Sequence, residues 1–152
     1  MGMSELRQRI RACSVIGLDT VAFIYHFEDN PVYAPLTEMI FAEIESGAVE
    51  AVASTLAFAD VLTGARKTGN DALALQYRAV FAHFPHLAVV PVDMPVAEKV
   101  ADMRSSYGLK MPDVVAINAA LVNGAQTLIT NDGALRRVTE LEITVLADHV
   151  GT

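Results

Sequence analysis

Val15-Ile16-Gly17-Leu18-Asp19-Thr20 is the stretch on which the reading of this chain turns. Four apolar residues stop at an acid, and Thr20 opens a segment carrying Phe23 and Phe27 at helical spacing. A short apolar run without alternation reads as a strand buried on both faces. Asp19 then stands at the carboxyl end of that strand, where open α/β sheets place their chemistry.

Working outward, the same unit recurs. Short apolar strands are predicted at 49–53, 87–90, 127–130 and 143–146, and helical segments separate them. Asn30-Pro31 reads as a cap with proline in the first turn, opening a helix to Ser46-Gly47 with Leu36, Ile40 and Ile44 on one face. Ser54 caps a helix to about Lys67, stopped by Gly69. Asn70-Asp71 opens the next, to about Phe84, with Leu75, Ala79 and Ala82 expected to face inward. Asp93 and Pro95 open a helix to Tyr107-Gly108, and Pro112-Asp113 opens one closed by Asn123-Gly124. A short helix is expected around 135–138. Strands alternating with helices imply right-handed crossovers. The expected fold is α/β: one α/β/α sandwich over residues 1–152, with a mainly parallel, roughly five-stranded sheet. Its core spans about 15–148. Residues 1–13 form an N-terminal extension in which Leu6, Ile10 and Cys13 fall at helical spacing.

The bulk numbers agree with a single domain. The chain has 152 residues, 53% of them hydrophobic and 19% charged, enough to bury a substantial core. One cysteine, Cys13, excludes an intramolecular disulfide or a cysteine-based zinc site, and a reducing cytoplasm fits. No leader is read, because Arg7, Arg9 and Arg11 are not followed by a long apolar run. No run is long enough to cross a membrane. A net charge of −7 argues against a protein that coats nucleic acid, but not against an enzyme that meets it through bound cations.

Four carboxylates stand in telling places. Asp19 ends the first strand, Asp132 follows the fourth, and Asp113 opens a helix after a loop. Asp60 lies inside the apolar segment Leu56-Ala57-Phe58-Ala59-Asp60-Val61-Leu62, where an inward carboxylate is costly unless paired or bound to a cation. Read singly, Asp19 and Asp132 are ordinary caps, Asp113 is a favourable first-turn acid, and Asp60 points to solvent. Read together, they share one end of a sheet. No lysine or arginine lies within five residues of Asp19 or Asp60. Gathered like charges need a cation, and oxygen-only donors favour Mg2+ or Mn2+. His83 and His86 flank Pro85 and read as surface residues, and Glu43 and Glu45 as a solvated helix face. Arg66-Lys67 and Arg136-Arg137 read as solvated helix ends within reach of phosphates.

These segments resemble the PIN-domain family, the fold of VapC-type ribonuclease toxins. Gly17-Leu18-Asp19-Thr20-Val21-Ala22-Phe23-Ile24-Tyr25 resembles its opening strand and first acid. Ser54 to Leu62 is similar to its second-acid helix, and Tyr107 to Ala116 to its third-acid helix. Leu128-Ile129-Thr130-Asn131-Asp132 resembles its closing strand and Thr-Asn-Asp turn. The departure is Asp60, where the family usually carries glutamate. The resemblance implies RNA hydrolysis, with Asp19, Asp113 and Asp132 binding one or two metal ions and Asp60 near them or acting through water. It makes Thr20, Thr130 and Asn131 candidates to orient the carboxylates or the attacking water. It also implies a homodimer and a small antitoxin whose basic tail crosses the cleft. Phe23, Phe27, Tyr33 and Met39 are the expected receiving surface, or else core.

Other classes fit less well. A haloacid-dehalogenase-like phosphatase needs a second acid where Val21 stands. A receiver-like signalling domain needs an acid among residues 12–18 and a lysine after Thr130, and neither is present. A PIN fold with a decayed site, kept for binding, is the remaining alternative.

Overall fold

The computed structural model describes residues 2–151. Its centre is a five-stranded sheet of β1 (Val15–Leu18), β2 (Glu50–Ser54), β3 (Leu87–Val90), β4 (Thr127–Thr130) and β5 (Glu142–Val145). The strand order is β3-β2-β1-β4-β5, and every pairing is parallel. The strand order reverses at β1, between β2 on one side and β4 on the other. A parallel sheet opens a crevice at such a reversal, at the carboxyl ends of its strands.

Among the described residues seven helices cover the sheet: α1 (Met3–Arg11), α2 (Thr20–Phe27), α3 (Ala34–Glu45), α4 (Thr55–Lys67), α5 (Asp71–His83), α6 (Met94–Tyr107) and α7 (Met111–Val122). One core holds Phe23, Ile40, Ile44, Val61, Tyr77 and Phe81; another, around α6 and α7, holds Val100, Val114, Ile117, Leu128 and Leu135. Side-chain caps start the helices where the sequence places them: Ser54 accepts from the Ala57 amide, Asn70 from Leu73 and Asp93 from Val96. Among the described residues no helix is long and apolar enough to cross a membrane.

Several expectations need correction. Asn30 does not cap α3. Its side chain accepts from the amides of Val32 and Tyr33, which closes a turn, and the helix begins at Ala34. An Asx turn and a helix cap use the same donor geometry, so a sequence does not separate them. On α5 the inward face is Ala74, Tyr77, Val80 and Phe81, while Leu75 is 67% exposed and Ala79 and Ala82 are also outside. Two aromatic rings carry more buried area than Leu75 and two alanines, and they set the helix rotation. The expected helix at 135–138 is a 3-10 turn, Gly133–Arg137, and a second such turn, Leu146–His149, follows β5.

The N-terminal extension is part of the core. Leu6 and Ile10 of α1 are fully buried, each removal from water worth about 1.5–3 kcal/mol. Glu43, expected on a solvated face, is 8% exposed and takes a two-pronged hydrogen bond from Arg11 (2.9 and 3.0 Å) with Arg7 3.7 Å away. This pairing holds the Glu43 carboxyl below its usual range. Phe23 and Met39 fill the core instead of a receiving surface; Phe27 and Tyr33 remain partly exposed.

Gly17 fixes how closely α7 lies on β1. A Cβ there would stand 2.6 Å from the Cβ of Ala120 and 3.1 Å from Leu128 Cδ1. The Ala120 Cβ is fixed to its helix and cannot swing aside, so Gly17→Ala is expected to destabilise the fold by about 1–3 kcal/mol. Thermal melts of the two proteins check this, and an unchanged Tm would show that α7 yields freely.

Candidate active site

Asp19 is the N-cap of α2 and sits at the reversal point of the sheet. Its amide donates to the Ile129 carbonyl (3.0 Å), which ties the end of β1 to β4. One carboxylate oxygen accepts from the Thr20 amide (2.9 Å) and the other from the Thr130 hydroxyl (2.8 Å). Each oxygen keeps a lone pair for a further partner. Burial raises the Asp19 carboxyl above its ordinary value, and the charges of Asp132 and Asp60 add to the rise. The two hydrogen bonds oppose it.

Asp113 lies in the first turn of α7, partly buried. Burial raises its carboxyl too, and the charges of Asp19 and Asp132 reinforce the shift, while Lys110 opposes it. Asp132 caps the 3-10 turn after β4, accepting from the Ala134 amide (3.0 Å), and its own amide donates to the Thr130 hydroxyl oxygen (3.3 Å). Thr130 thus links two of the acids. Its neighbours on β4 are all buried, which fixes the hydroxyl in place.

Of the two positions open to Asp60, inward or facing solvent, the structure has the second. Asp60 is exposed, and the buried residues of α4 are Ala57, Val61 and Ala65. It nonetheless faces the cluster, because Thr20 Oγ1 donates to its carboxylate at 3.2 Å. Helical spacing alone does not distinguish a residue at the edge of an apolar stripe from one inside it. Asn131 bonds to groups outside the four acids. Its Nδ2 donates to the Tyr25 hydroxyl (3.1 Å) and its oxygen accepts from the Ala147 amide (2.9 Å). It joins α2 to the turn after β5, and neither partner is one of the four acids.

The four acids, spread over more than a hundred residues of chain, lie near enough for their charges to act on one another: Asp19 feels Asp60 and Asp132, and Asp113 feels Asp19 and Asp132. The set is entirely oxygen, of one sign, with two members pushed toward the protonated form, and a hard divalent cation relieves each of these conditions. The donor chemistry fits Mg2+ or Mn2+. Among the described residues no three acidic, histidine or cysteine side chains stand close enough to form a ready-made cage. Arg136 is paired with Asp148, and Arg137 donates to the Tyr107 carbonyl (2.6 Å), so both are engaged in the fold. His86 lies 3.2 Å from Glu50 and is exposed.

An α/β/α sandwich with neighbouring acids about the switch point of a 3-2-1-4-5 parallel sheet is the class that the structure defines. The chain matches the PIN domain model over residues 16–141, and it belongs to the PIN-domain family. No curated protein sequence matches it. Solved structures share its fold. One is VapC20 of Mycobacterium tuberculosis, a sarcin–ricin loop cleaving toxin, with 13% identity, a TM-score of 0.68, and 85% of this chain and 99% of that one covered. A chain of a Klebsiella pneumoniae toxin–antitoxin complex is 19% identical, with a TM-score of 0.65 and coverage of 88% and 98%. A chain of Rickettsia felis VapBC2, bound to a promoter DNA fragment, is 15% identical, with a TM-score of 0.66 and coverage of 86% and 98%.

Proposed function

We propose that this protein is a metal-dependent endoribonuclease and the toxin of a type II toxin–antitoxin pair. The observation that carries the reading is Asp19, held by Thr130 and Thr20 with three further acids gathered about it. Asp19, Asp113 and Asp132 are the residues to hold Mg2+ or Mn2+, with Asp60 beside them or acting through water. When bound, such an ion neutralises phosphate charge and makes water nucleophilic near neutral pH. Thr130 keeps the Asp19 carboxylate in one rotamer and aligns the turn that carries Asp132. Thr20 does the same for Asp60 while its amide holds Asp19. The exposed position of Asp60 leaves room for an RNA strand to reach the acids from solvent.

On this reading the substrate is RNA and the setting is the cytoplasm. The partner is a small antitoxin with a basic tail, and the working state is a homodimer. An arginine or lysine in the antitoxin tail meets the acids as the metal does, because an acidic crevice attracts any cation. Phe27 and Tyr33, the latter stacked on Tyr25 at 4.6 Å, offer it partly exposed aromatic anchors.

Purified protein is expected to cut cellular RNA with Mn2+ and not with EDTA. Asp60→Glu, which restores the family's usual residue, is expected to keep the activity. Asp60→Ala is expected to lower it about 10–100-fold, the range for loss of a group that supports a metal site. No cleavage in any divalent cation would overturn the nuclease reading, and a fully active Asp60→Ala would move that residue out of the site.

A further inference from the structure

We infer that Lys110 binds a phosphate of the RNA strand beside the one being cut, a role resting on the nuclease reading. Lys110 is the residue that precedes α7, three positions before Asp113. Its side chain is exposed and does not cap the helix, and among the described residues it has no hydrogen-bond or ion-pair partner. Its charge reaches the Asp113 carboxylate across that short span.

The segment that carries it is fixed. Gly108 takes the left-handed conformation that ends α6 (φ 65°), and Leu109 is 8% exposed. Arg104 Nε donates to the Leu109 carbonyl (3.4 Å), and Arg137 donates to that of Tyr107. Two cations are therefore used to position the linker, and a third is left facing solvent at the rim of the acids. Tyr107 adds a brace, donating to Glu140 at 2.5 Å.

A need for such a cation follows from the charge balance. The chain carries −7, and a polyanion approaching four acids meets repulsion wherever a metal does not screen it. An ion in the crevice neutralises the phosphate under attack, but not the next one along. Lys110 is placed to neutralise that neighbour. Contacts to phosphate position a strand without reading its sequence, so Lys110 sets register and affinity. It is a positioning residue and does not touch the reacting atoms.

The test is salt-dependent binding of a fluorescent 20-nucleotide 2′-O-methyl RNA in Mn2+, with cleavage of unmodified RNA followed in parallel. Lys110→Gln is expected to weaken binding several-fold, about equally for different sequences, and to lower the slope of log Kd against log salt by roughly 0.7. Lys110→Arg should keep both. In cleavage, KM should rise while kcat stays nearly level. Lys99→Gln on α6 is the charge control. An unchanged slope in Lys110→Gln, or an equal change in the control, would overturn the inference, as would a wild type that binds no RNA. Cleavage by the wild type with an unchanged Lys110→Gln slope would leave the nuclease reading intact. Lysine-dependent binding without cleavage would do the reverse.

Discussion

Asp19→Asn and Asp113→Asn are each expected to lower RNA cleavage by about 100-fold or more, while the proteins stay folded. The size follows from position. Loss of a group that merely supports a metal ligand costs about 10–100-fold, and these two are placed as ligands themselves. Asparagine keeps the shape and one oxygen, so the new amide side chain of the first variant still accepts from the Thr20 amide; what is lost is the charge and the oxygen that accepts from the Thr130 hydroxyl. Thr130→Val separates the ligand from its support. It removes the hydroxyl that donates to Asp19 at 2.8 Å and accepts from the Asp132 amide at 3.3 Å, in a β-branched side chain of the same outline. Its loss should fall within the supporting range and shrink as Mn2+ is raised, whereas Asp19→Asn should not recover. Cleavage rates over a Mn2+ titration check both. Wild-type rates in the two Asp variants, in preparations free of contaminating nuclease, would put the active site elsewhere.

The sequence made the sheet and three of the acids legible because each acid ends or opens an element. Asp19 stops an apolar run, Asp132 follows one, and Asp113 sits behind a proline, so boundary and candidate coincide at each. The strands could be read because a parallel sheet buried on both faces leaves uninterrupted apolar runs. What failed to read was rotation. Asp60 and the face of α5 depend on how a helix turns about its axis, and partners distant in sequence decide that. The Tyr77 hydroxyl, for example, donates to Glu28 at 2.5 Å from 49 positions away, and no local pattern announces such a pairing. Asn131 likewise stands beside Asp132 in the chain yet spends its amide on Tyr25, 106 positions back. Lys110 was the reverse case. It lies inside the segment that resembles the third-acid helix, but a lone lysine before a helix is ordinary, and only an unpaired charge that reaches the Asp113 carboxylate marks it.

Metal binding should appear as stability, with a sign that the acids dictate. Burial first, and then the neighbouring carboxylates, raise Asp19 and Asp113 above their unfolded values. A raised folded value means that the folded state holds protons more tightly than the unfolded chain. The stability from this source is full below about pH 4, the ordinary aspartate range, and is lost as pH rises through the folded values. At neutral pH without metal, both carboxylates are therefore a liability. Glu43, held low by Arg11, works in the opposite sense, so the whole-protein pH profile mixes the two. The difference between wild type and Asp19→Asn isolates the acids. In EDTA the variant should match or exceed the wild type at pH 7, and the gap should narrow as pH falls toward 4. Adding Mn2+ at about 100 times its Kd should stabilise the wild type by about 2.7 kcal/mol. For a chain of this size that is a rise in Tm of roughly 5–10 °C. Asp19→Asn should show little of it, and Asp60→Glu should show most. Calorimetry or dye-monitored melting over a Mn2+ series reads all three proteins without any RNA present. Equal Mn2+ shifts in wild type and Asp19→Asn would mean that the ion binds elsewhere. A wild-type Tm indifferent to millimolar Mn2+ would mean that the gathered acids are held together by the fold alone.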